Sequence, residues 1–460
     1  MTAPLEGDKI RIAYRTFGCK ANQYDTERIR QELEARGAET VGIPADADLV
    51  VVNTCTVTNR ADAEGRRFIR RVRRERPQVE VLAVGCSTAL RAADYEQMPQ
   101  VDYVVAGHDP VQAAEALGKV RRSLVLPKVK ARLNPGNGGL LGGAVLMRRA
   151  GATRGWLKVQ DGCDRKCSFC ATRLARGKSR SRPIAEIVAE ARALSKTHPE
   201  LVITGIHIGH YGRDLTVPTS LSALVARLLE DVPNVRFRLG SIEATEVDDL
   251  LLDLLAGSDG RVAPHLHMPL QSGADPVLKR MRRWHTRDTY RARALEIASR
   301  LPVLGLGADI ITGFPGETDA DQRQTLSLVE ELPYTYLHVF PFSEREGTEA
   351  ASANRTSPVP QRVAGERSRE LRELAHRKAR AHQRSRDGTW SKVVIEGVDG
   401  TALTGDYLRV KTHVTKEVSS SRRLPSTVLE RPFSSPLREG KLRWCGESLT
   451  IDLTDPSGFN

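Results

Sequence analysis

Short apolar runs rich in Val and Ile alternate with amphipathic stretches along most of the chain. In residues 1–127, Ile10–Tyr14, Leu49–Asn53, Val79–Val84 and Val101–Val105 read as strands. Asp25–Arg36 and Ala61–Glu75, between them, read as helices. That order predicts an open parallel α/β sheet with helices on its faces. Residues 128–152 include the Gly-rich run Asn134–Gly143, which has too few large side chains to pack and reads as a linker. A second alternating block, 153–386, offers six candidate strands: Trp156–Gln160, Leu201–Ile206, Val235–Leu239, His265–Leu270, Val303–Ile311 and Tyr334–Phe340. One intervening helix places Ile184, Ile187, Val188, Ala191 and Leu194 on one face. Six strand–helix units predict a barrel or partial barrel, a (β/α)6 partial barrel being the expected form, with its chemistry at the C-terminal ends of the strands. The block closes on a basic helix, Arg362–Arg386, with nine Lys/Arg against three Glu. Residues 387–455 switch to short strands with Gly and Pro turns, at Trp390–Glu396, Ala402–Thr404, Tyr407–Lys411 and Ser448–Leu453, the pattern of a small all-β barrel.

Composition narrows the class. With 460 residues, 40% hydrophobic and 28% charged, the chain is long enough for several cores and unlike a disordered one. No apolar run approaches membrane-spanning length, and the first residues lack a secretory pattern, so a cytoplasmic protein without a membrane partner is expected. A monomer is the expected state. Seventy Lys/Arg against 57 Asp/Glu leave a net charge of +13, a balance that favours a polyanionic partner. Seven cysteines are too few, and odd in number, for a disulfide framework; in a reducing compartment grouped cysteines bind metal or do chemistry.

Cys163, Cys167 and Cys170 lie within eight residues, directly after a candidate strand. One loop with that spacing wraps three corners of a cubane iron–sulfur cluster, and soft thiolates suit it. The fourth iron stays open to chelate S-adenosylmethionine and cleave it to a 5′-deoxyadenosyl radical. A structural zinc site is the competing reading, but no fourth Cys or His sits nearby in sequence. Cys19, Cys55 and Cys86 are far apart, yet each follows a candidate strand. Loops after the strands of an open parallel sheet converge at one edge, so three thiols would meet there. They read either as ligands of a second cluster or as three buried small hydrophobes. Cys445 has no partner in the β-rich tail and reads as structural or exposed.

The motifs Thr16–Gln23, Asn53–Thr58, Gly162–Cys170, His265–Gly273, Gly313–Glu317 and His338–Phe342 together resemble the radical-SAM methylthiotransferases, over nearly the whole chain. The resemblance implies two 4Fe–4S clusters, the auxiliary one on Cys19, Cys55 and Cys86, with S-adenosylmethionine as radical source and methyl donor. It implies a C-terminal TRAM-like RNA-binding domain and a tRNA partner. The stretch Thr56–Asp62 is most similar to the MtaB branch, whose members methylthiolate carbon 2 of N6-threonylcarbamoyladenosine at tRNA position 37. Sister branches act on isopentenyladenosine in tRNA or on a ribosomal-protein aspartate. A protein that supplies electrons is also implied. Cofactor contacts by resemblance fall on Gly205, Gln271, Ser272, Gly273, Gly313 and Gly316. The sequence after Cys170 departs from the commoner family version, as does Ser87-Thr88 after Cys86, although neither change removes a ligand.

Carbon 2 of adenine bears an unactivated hydrogen, so the lack of an acid–base set is no objection to a radical route. The basic run Arg173, Arg176, Lys178, Arg180 and Arg182 follows the cluster loop, where an RNA loop has to enter, and is expected to contact phosphate. Further basic stretches lie at Arg66–Arg74 and Arg362–Arg386. Thr318 reads as an N-cap with Asp321 in a capping box. His265 and His267 share a strand face and read as a hydrogen-bonded lining rather than a metal pair, and Asp309 is left open. From a different class, a non-catalytic zinc-bearing RNA-binding protein is the alternative.

Overall fold

The computed structural model describes residues 9–121, 145–149, 151–396, 400–413 and 437–453. The Gly-rich run 134–143 lies outside them. By packing, the chain forms two compact units. One takes the N-terminal segment to Leu146 with 161–180 and 343–348; the other takes 147–160, 181–342 and the chain from Glu349.

In the first unit Leu49–Thr54 is wholly buried, and Leu82, Ala83 and Val84 are as well. Strands buried on both faces read as continuous apolar runs, the signature of a covered parallel sheet. Five parallel strands run in the order Glu39–Thr40, Arg11–Thr16, Leu49–Thr54, Glu80–Gly85, Tyr103–Val104. The two-residue edge strand Glu39–Thr40 was too short for a hydrophobic pattern to reveal. Alternate residues feed two cores: Val50 and Val52 pack with Phe68, Ile69 and Val72, while Leu49 and Val51 pack with Ile29 and Leu33. Helices Lys20–Ala35 and Asn59–Glu75 cover the sheet, the latter capped by Thr58 Oγ1, which accepts from the Ala61 N–H at 3.1 Å.

The second unit holds two three-stranded parallel sheets. Arg154–Lys158, Glu200–Thr204 and Arg236–Leu239 form one; His265–His267, Gly305–Thr312 and Tyr336–Pro341 form the other. Bridges Phe237↔Val262 and Ser241↔His267 join them, so the six strands follow chain order around a partial barrel. Thr318 and Asp321 form the expected capping box ahead of helix Asp319–Glu331. The C-terminal domain is a closed five-stranded barrel around Val393, Ala402, Val410, Leu442 and Ile451. Its strand Arg438–Cys445, absent from the sequence expectation, pairs with Ser448–Leu453. Among the described residues, no helix is long and apolar enough to cross a membrane.

Glu200 fixes this small barrel to the partial barrel. It is fully buried at the start of its strand, facing Arg154, Arg236 and Arg238. Arg236 Nε donates to it at 2.6 Å and Arg238 Nε at 2.9 Å. Their remaining N–H groups reach out to barrel carbonyls: Arg236 to Lys392 at 2.8 Å, Arg238 to Gly405 at 2.7 Å and Thr404 at 2.9 Å. Gly305 completes the seam, since a Cβ there would overlap the Asp406 carbonyl. The docking therefore falls at the N-terminal ends of the strands, opposite the end where barrel folds place their chemistry.

Replacing Glu200 by Gln leaves buried Arg236 and Arg238 without their carboxylate, while Arg154 keeps Glu396 at 2.5 Å. A loss of about 3–5 kcal/mol in urea unfolding is expected; an unchanged midpoint would show that these pairs do not hold the seam. Asp406 is bound by His382 Nε2 at 2.9 Å and Arg386 Nε at 3.0 Å, which together lower its carboxyl to about 2 despite burial. A depressed folded-state pKa stabilises above the unfolded value near 4 and stops doing so as pH falls towards 2. The stability difference between wild type and Asp406→Asn should be constant above about pH 5 and shrink below it.

Candidate metal centre

Cys19, Cys55 and Cys86 each follow a strand of the first sheet: Arg11–Thr16, Leu49–Thr54 and Glu80–Gly85. Gly18 adopts φ +101°, and a Cβ there would meet Cys55 Sγ at 2.5 Å, so only glycine lets this loop close on the thiol. Cys55 Sγ accepts the Val57 N–H at 3.3 Å, and Cys86 Sγ accepts Arg176 Nε at 3.2 Å. Burial pushes the Cys55 thiol up to about 11 and the Cys86 thiol to about 12, with Cys19 adding to both.

The loop carrying Cys163, Cys167 and Cys170 belongs to the same compact unit. Gly162, at φ +71°, lets the Lys178 carbonyl approach its Cα too closely for any side chain, and Cys163 N–H donates to Gly177 O at 3.0 Å. Cys163 Sγ accepts the Arg165 N–H at 3.4 Å, and burial raises its thiol to about 12, with Cys170 and Cys167 contributing.

Arg176 joins the two groups. Fully buried, it donates to Asp161 at 2.9 and 3.1 Å, to Asp25 at 2.7 Å, to Asn22 at 2.6 Å and to Cys86 Sγ. His108 Nε2 lies 3.0 Å from Asp161 Oδ2. Two carboxylates hold this guanidinium charged, well above its ordinary pKa. Beside Cys55 opens a pocket of about 510 Å³, lined by Thr56, Asn59, Asp62, Arg91, Leu174 and Arg345 among others. Arg345 donates to the Val57 carbonyl at 2.7 Å, and burial lowers it to about 10.

Two of the arginines expected at RNA are used otherwise. Arg176 is locked inside the unit, and Arg182 is buried in a fork on Glu190 at 3.1 and 3.1 Å. Neither guanidinium has a face left for phosphate. Lys178 is exposed, and Arg173 and Arg180 are partly so. Asn22, Asp25, His108 and Asp161 were given no role from sequence; Asn22 inside the Thr16–Gln23 motif and Asp161 two residues before Cys163 carried the available signal.

In the second unit the resemblance-based positions are tightly packed. A Cβ at Gly205 would press on the Gln160 carbonyl at 2.8 Å, and one at Gly273 on Thr325 Cα at 2.7 Å. One at Gly313 would overlap Ala364. Gly316 turns at φ +74° and Gln271 at φ +69°, while Ser272 Oγ sits 3.3 Å from Thr325 Oγ1. Gly205, Gly273 and Gly313 are thus required first by packing, and Gly316 by its backbone conformation. His265 and His267 are a hydrogen-bonded lining, at 2.8 and 3.1 Å from the Tyr336 hydroxyl. His267 and His338 also flank Asp309, at 3.1 and 3.2 Å, and hold its carboxyl well below the usual range. A further group escaped sequence reasoning: His207 and His210 lie 2.9 and 3.1 Å from Glu246. Their rings stack with centroids 3.9 Å apart.

Comparison with known proteins agrees with this architecture. Residues 11–107 match the model of uncharacterized protein family UPF0004, and residues 157–329 match that of the radical SAM superfamily. The threonylcarbamoyladenosine tRNA methylthiotransferase MtaB of Rickettsia prowazekii (strain Madrid E) is 35% identical over 411 residues, covering 88% of this chain and 92% of that one. Its namesake from Bacillus subtilis (strain 168) is 36% identical over 378 residues, 81% of each. The solved radical S-adenosylmethionine methyltransferase TsrM from Kitasatospora setae superposes with a TM-score of 0.53 at 16% identity, over 75% of this chain and 77% of that one, a likeness of fold alone. The chain belongs to the radical SAM methylthiotransferase family and is an enzyme of that class.

Membership implies a 4Fe–4S cluster and S-adenosylmethionine. The residues present fit a cluster: three thiols share one loop, and backbone N–H groups already point at sulfur. Thiols raised by burial stay protonated in the bare protein, whereas a coordinated metal deprotonates them outright.

Arg176→Met should cost about 3–5 kcal/mol in denaturant unfolding, because Asp25 and Asp161 stay buried after losing the guanidinium they share. Arg176→Lys should recover only part, as one ammonium cannot span both carboxylates. Full stability in the Met variant would refute the clamp.

Proposed function

We propose that the chain replaces the hydrogen on carbon 2 of N6-threonylcarbamoyladenosine at tRNA position 37 by a methylthio group. The observation that carries this reading is the gathering of two cysteine triads in one compact unit of a chain whose relatives bear that name. Cys163, Cys167 and Cys170 would hold one 4Fe–4S cluster and Cys19, Cys55 and Cys86 a second. When bound, the clusters and S-adenosylmethionine supply the radical, the sulfur and the methyl group.

The protein's own tasks follow from the geometry. Arg176 keeps the Cys163–Cys170 loop against the scattered cysteines and places a positive charge at Cys86. Val57 and Arg165 donate N–H groups to anionic sulfur. The pocket beside Cys55 has the dimensions to receive a modified base, and its lining mixes alanines with the charged side chains Asp62, Arg91 and Arg345. A base in a tRNA loop is already partly unstacked, which lowers the cost of presenting it. Arg173, Lys178 and Arg180 are assigned to phosphate, and Gly205, the Gln271–Gly273 turn, Gly313 and Gly316 to the surroundings of S-adenosylmethionine. Residues 1–127, 153–386 and 387–455 are the sulfur-delivering, radical-forming and RNA-binding domains, and electrons come from a separate reductant protein.

Anaerobically purified wild type should hold about eight irons, and the Cys163/Cys167/Cys170→Ala variant about four, with S-adenosylmethionine cleavage lost. Cys19/Cys55/Cys86→Ala should also hold about four but retain cleavage and lose methylthiolation. A colourless, zinc-only wild type would refute the assignment. In tRNA from a strain lacking the protein, mass spectrometry should find threonylcarbamoyladenosine without its 2-methylthio group; loss of the 2-methylthio isopentenyl derivative instead would move the substrate to the sister branch.

A further inference from the structure

The helix Asn59–Glu75 carries six arginines between Gly65 and Arg74 and no acid between Glu64 and Glu75. Its inner arginines are accounted for: Arg66 pairs with Asp62 at 2.5 Å and Arg73 with Asp102 at 2.9 Å. In the first turns Arg60 pairs with Glu64 at 2.9 Å, as exposed helical arginines commonly do. Further along, the pattern changes. Arg67, Arg70, Arg71 and Arg74 are exposed at i, i+3, i+4 and i+7, one stripe on one face. Among the described residues, Arg67, Arg70 and Arg74 have no hydrogen bond or ion pair. Four like charges at neighbouring helical positions repel.

A second feature adjoins the stripe. Arg71 borders a groove of about 700 Å³ that Arg15 and Arg76 also line, with Tyr14 and Phe68 beneath and Glu75 the one acid. The guanidinium groups of Arg15 and Arg71 stand 5.7 and 5.3 Å from the Phe68 ring, fixed over it by cation–π contact. The same helix begins at the pocket beside Cys55, which Asn59 and Asp62 line. At 1.5 Å per residue, the stripe starts about 8 Å past Asp62 and runs on for about 10 Å.

We propose that this arginine face and its groove bind the phosphodiester backbone of the tRNA whose base occupies the Cys55 pocket. The helix then acts as a phosphate track leading out of the reaction site, recognising backbone charge and not sequence. The proposal rests on the reading of the chain as a tRNA-modifying enzyme. Charge complementarity selects the occupant: arginine forks spaced along one helical face suit successive phosphates, which repay the repulsion that the free helix carries.

The test measures tRNA affinity against salt concentration for the full-length, cluster-loaded protein, using tRNA that lacks the 2-methylthio group. Arg67/Arg70/Arg74→Gln should bind roughly tenfold more weakly at about 0.1 M salt, with a log–log salt slope shallower by about two to three. Arg67/Arg70/Arg74→Lys should restore most of both, since charge and not packing is at stake; circular dichroism checks that both variants fold. A glutamine variant with wild-type affinity and slope overturns the proposal. So does a loss that lysine fails to rescue. So does unchanged RNA binding with turnover lost only when a protein reductant, and not dithionite, supplies electrons, because the face would then serve an acidic protein. Wild type that binds no tRNA overturns this assignment and the function together, whereas wild type that binds beside an equally tight glutamine variant overturns this assignment alone.

Discussion

One buried guanidinium sets the geometry of the sulfur-rich region. Arg176 sits at the end of a five-residue helix, Thr172–Arg176, far too short to hold itself in place. Its charge is what anchors that segment. Taking an arginine out of water costs several kcal/mol, and only a full set of charge-assisted hydrogen bonds offsets it. Asp25 and Asn22 from the helix Lys20–Ala35, and Asp161 from a distant strand, supply that set. The loop from Asp161 to Arg180 is thereby held to the helix that follows Cys19 and to the turn that bears Cys86. Shape complementarity among small residues such as Gly162, Ser168 and Ala171 could not do this, because they bury too little apolar surface.

Buried charge does the same work in the second unit. Glu200 is surrounded by three arginines, and two of them spend their outer N–H groups on carbonyls of the C-terminal barrel. A purely hydrophobic seam would permit sliding and rotation. Forked donors aimed at named carbonyls permit one register. The barrel is thus held at the strand starts. In both units, ionic networks position elements whose apolar cores are already complete on their own, as the separate clusters around Val52, Ile29 and Val393 show.

Much of this was legible in the amino-acid order. Period and composition located four of five strands of the first sheet, where buried strands are nearly continuous apolar runs, and all six of the partial barrel, although Arg154–Lys158 and Arg236–Leu239 carry charged residues. The edge strand Glu39–Thr40 escaped, being two residues long, and Arg438–Cys445 escaped because charged residues alternate with apolar ones along it. The cysteines stood out for a chemical reason: thiols in a reducing compartment are seldom grouped without cause. Arginines misled where a run of charge was taken as a surface. Arg176 and Arg182 lie in the same basic stretch as Lys178, yet two of the three are buried. Nothing local marks that difference, since the carboxylates that draw them inward lie between 8 and 151 residues away.

What the sequence determined by itself was the alternation of elements, the parallel topology that follows from it, and the three-thiol loop, whose ligands are local and whose spacing is written directly in the chain. Tertiary structure alone decided which distant groups meet. Cys19, Cys55 and Cys86 converge because parallel strands deliver their following loops to one edge, and Arg176 finds Asp25 and Asp161 because folding removes the water that would otherwise have solvated all three. Proximity of that kind depends on long-range packing and on the loss of solvent screening, and neither is a property of any short stretch of residues.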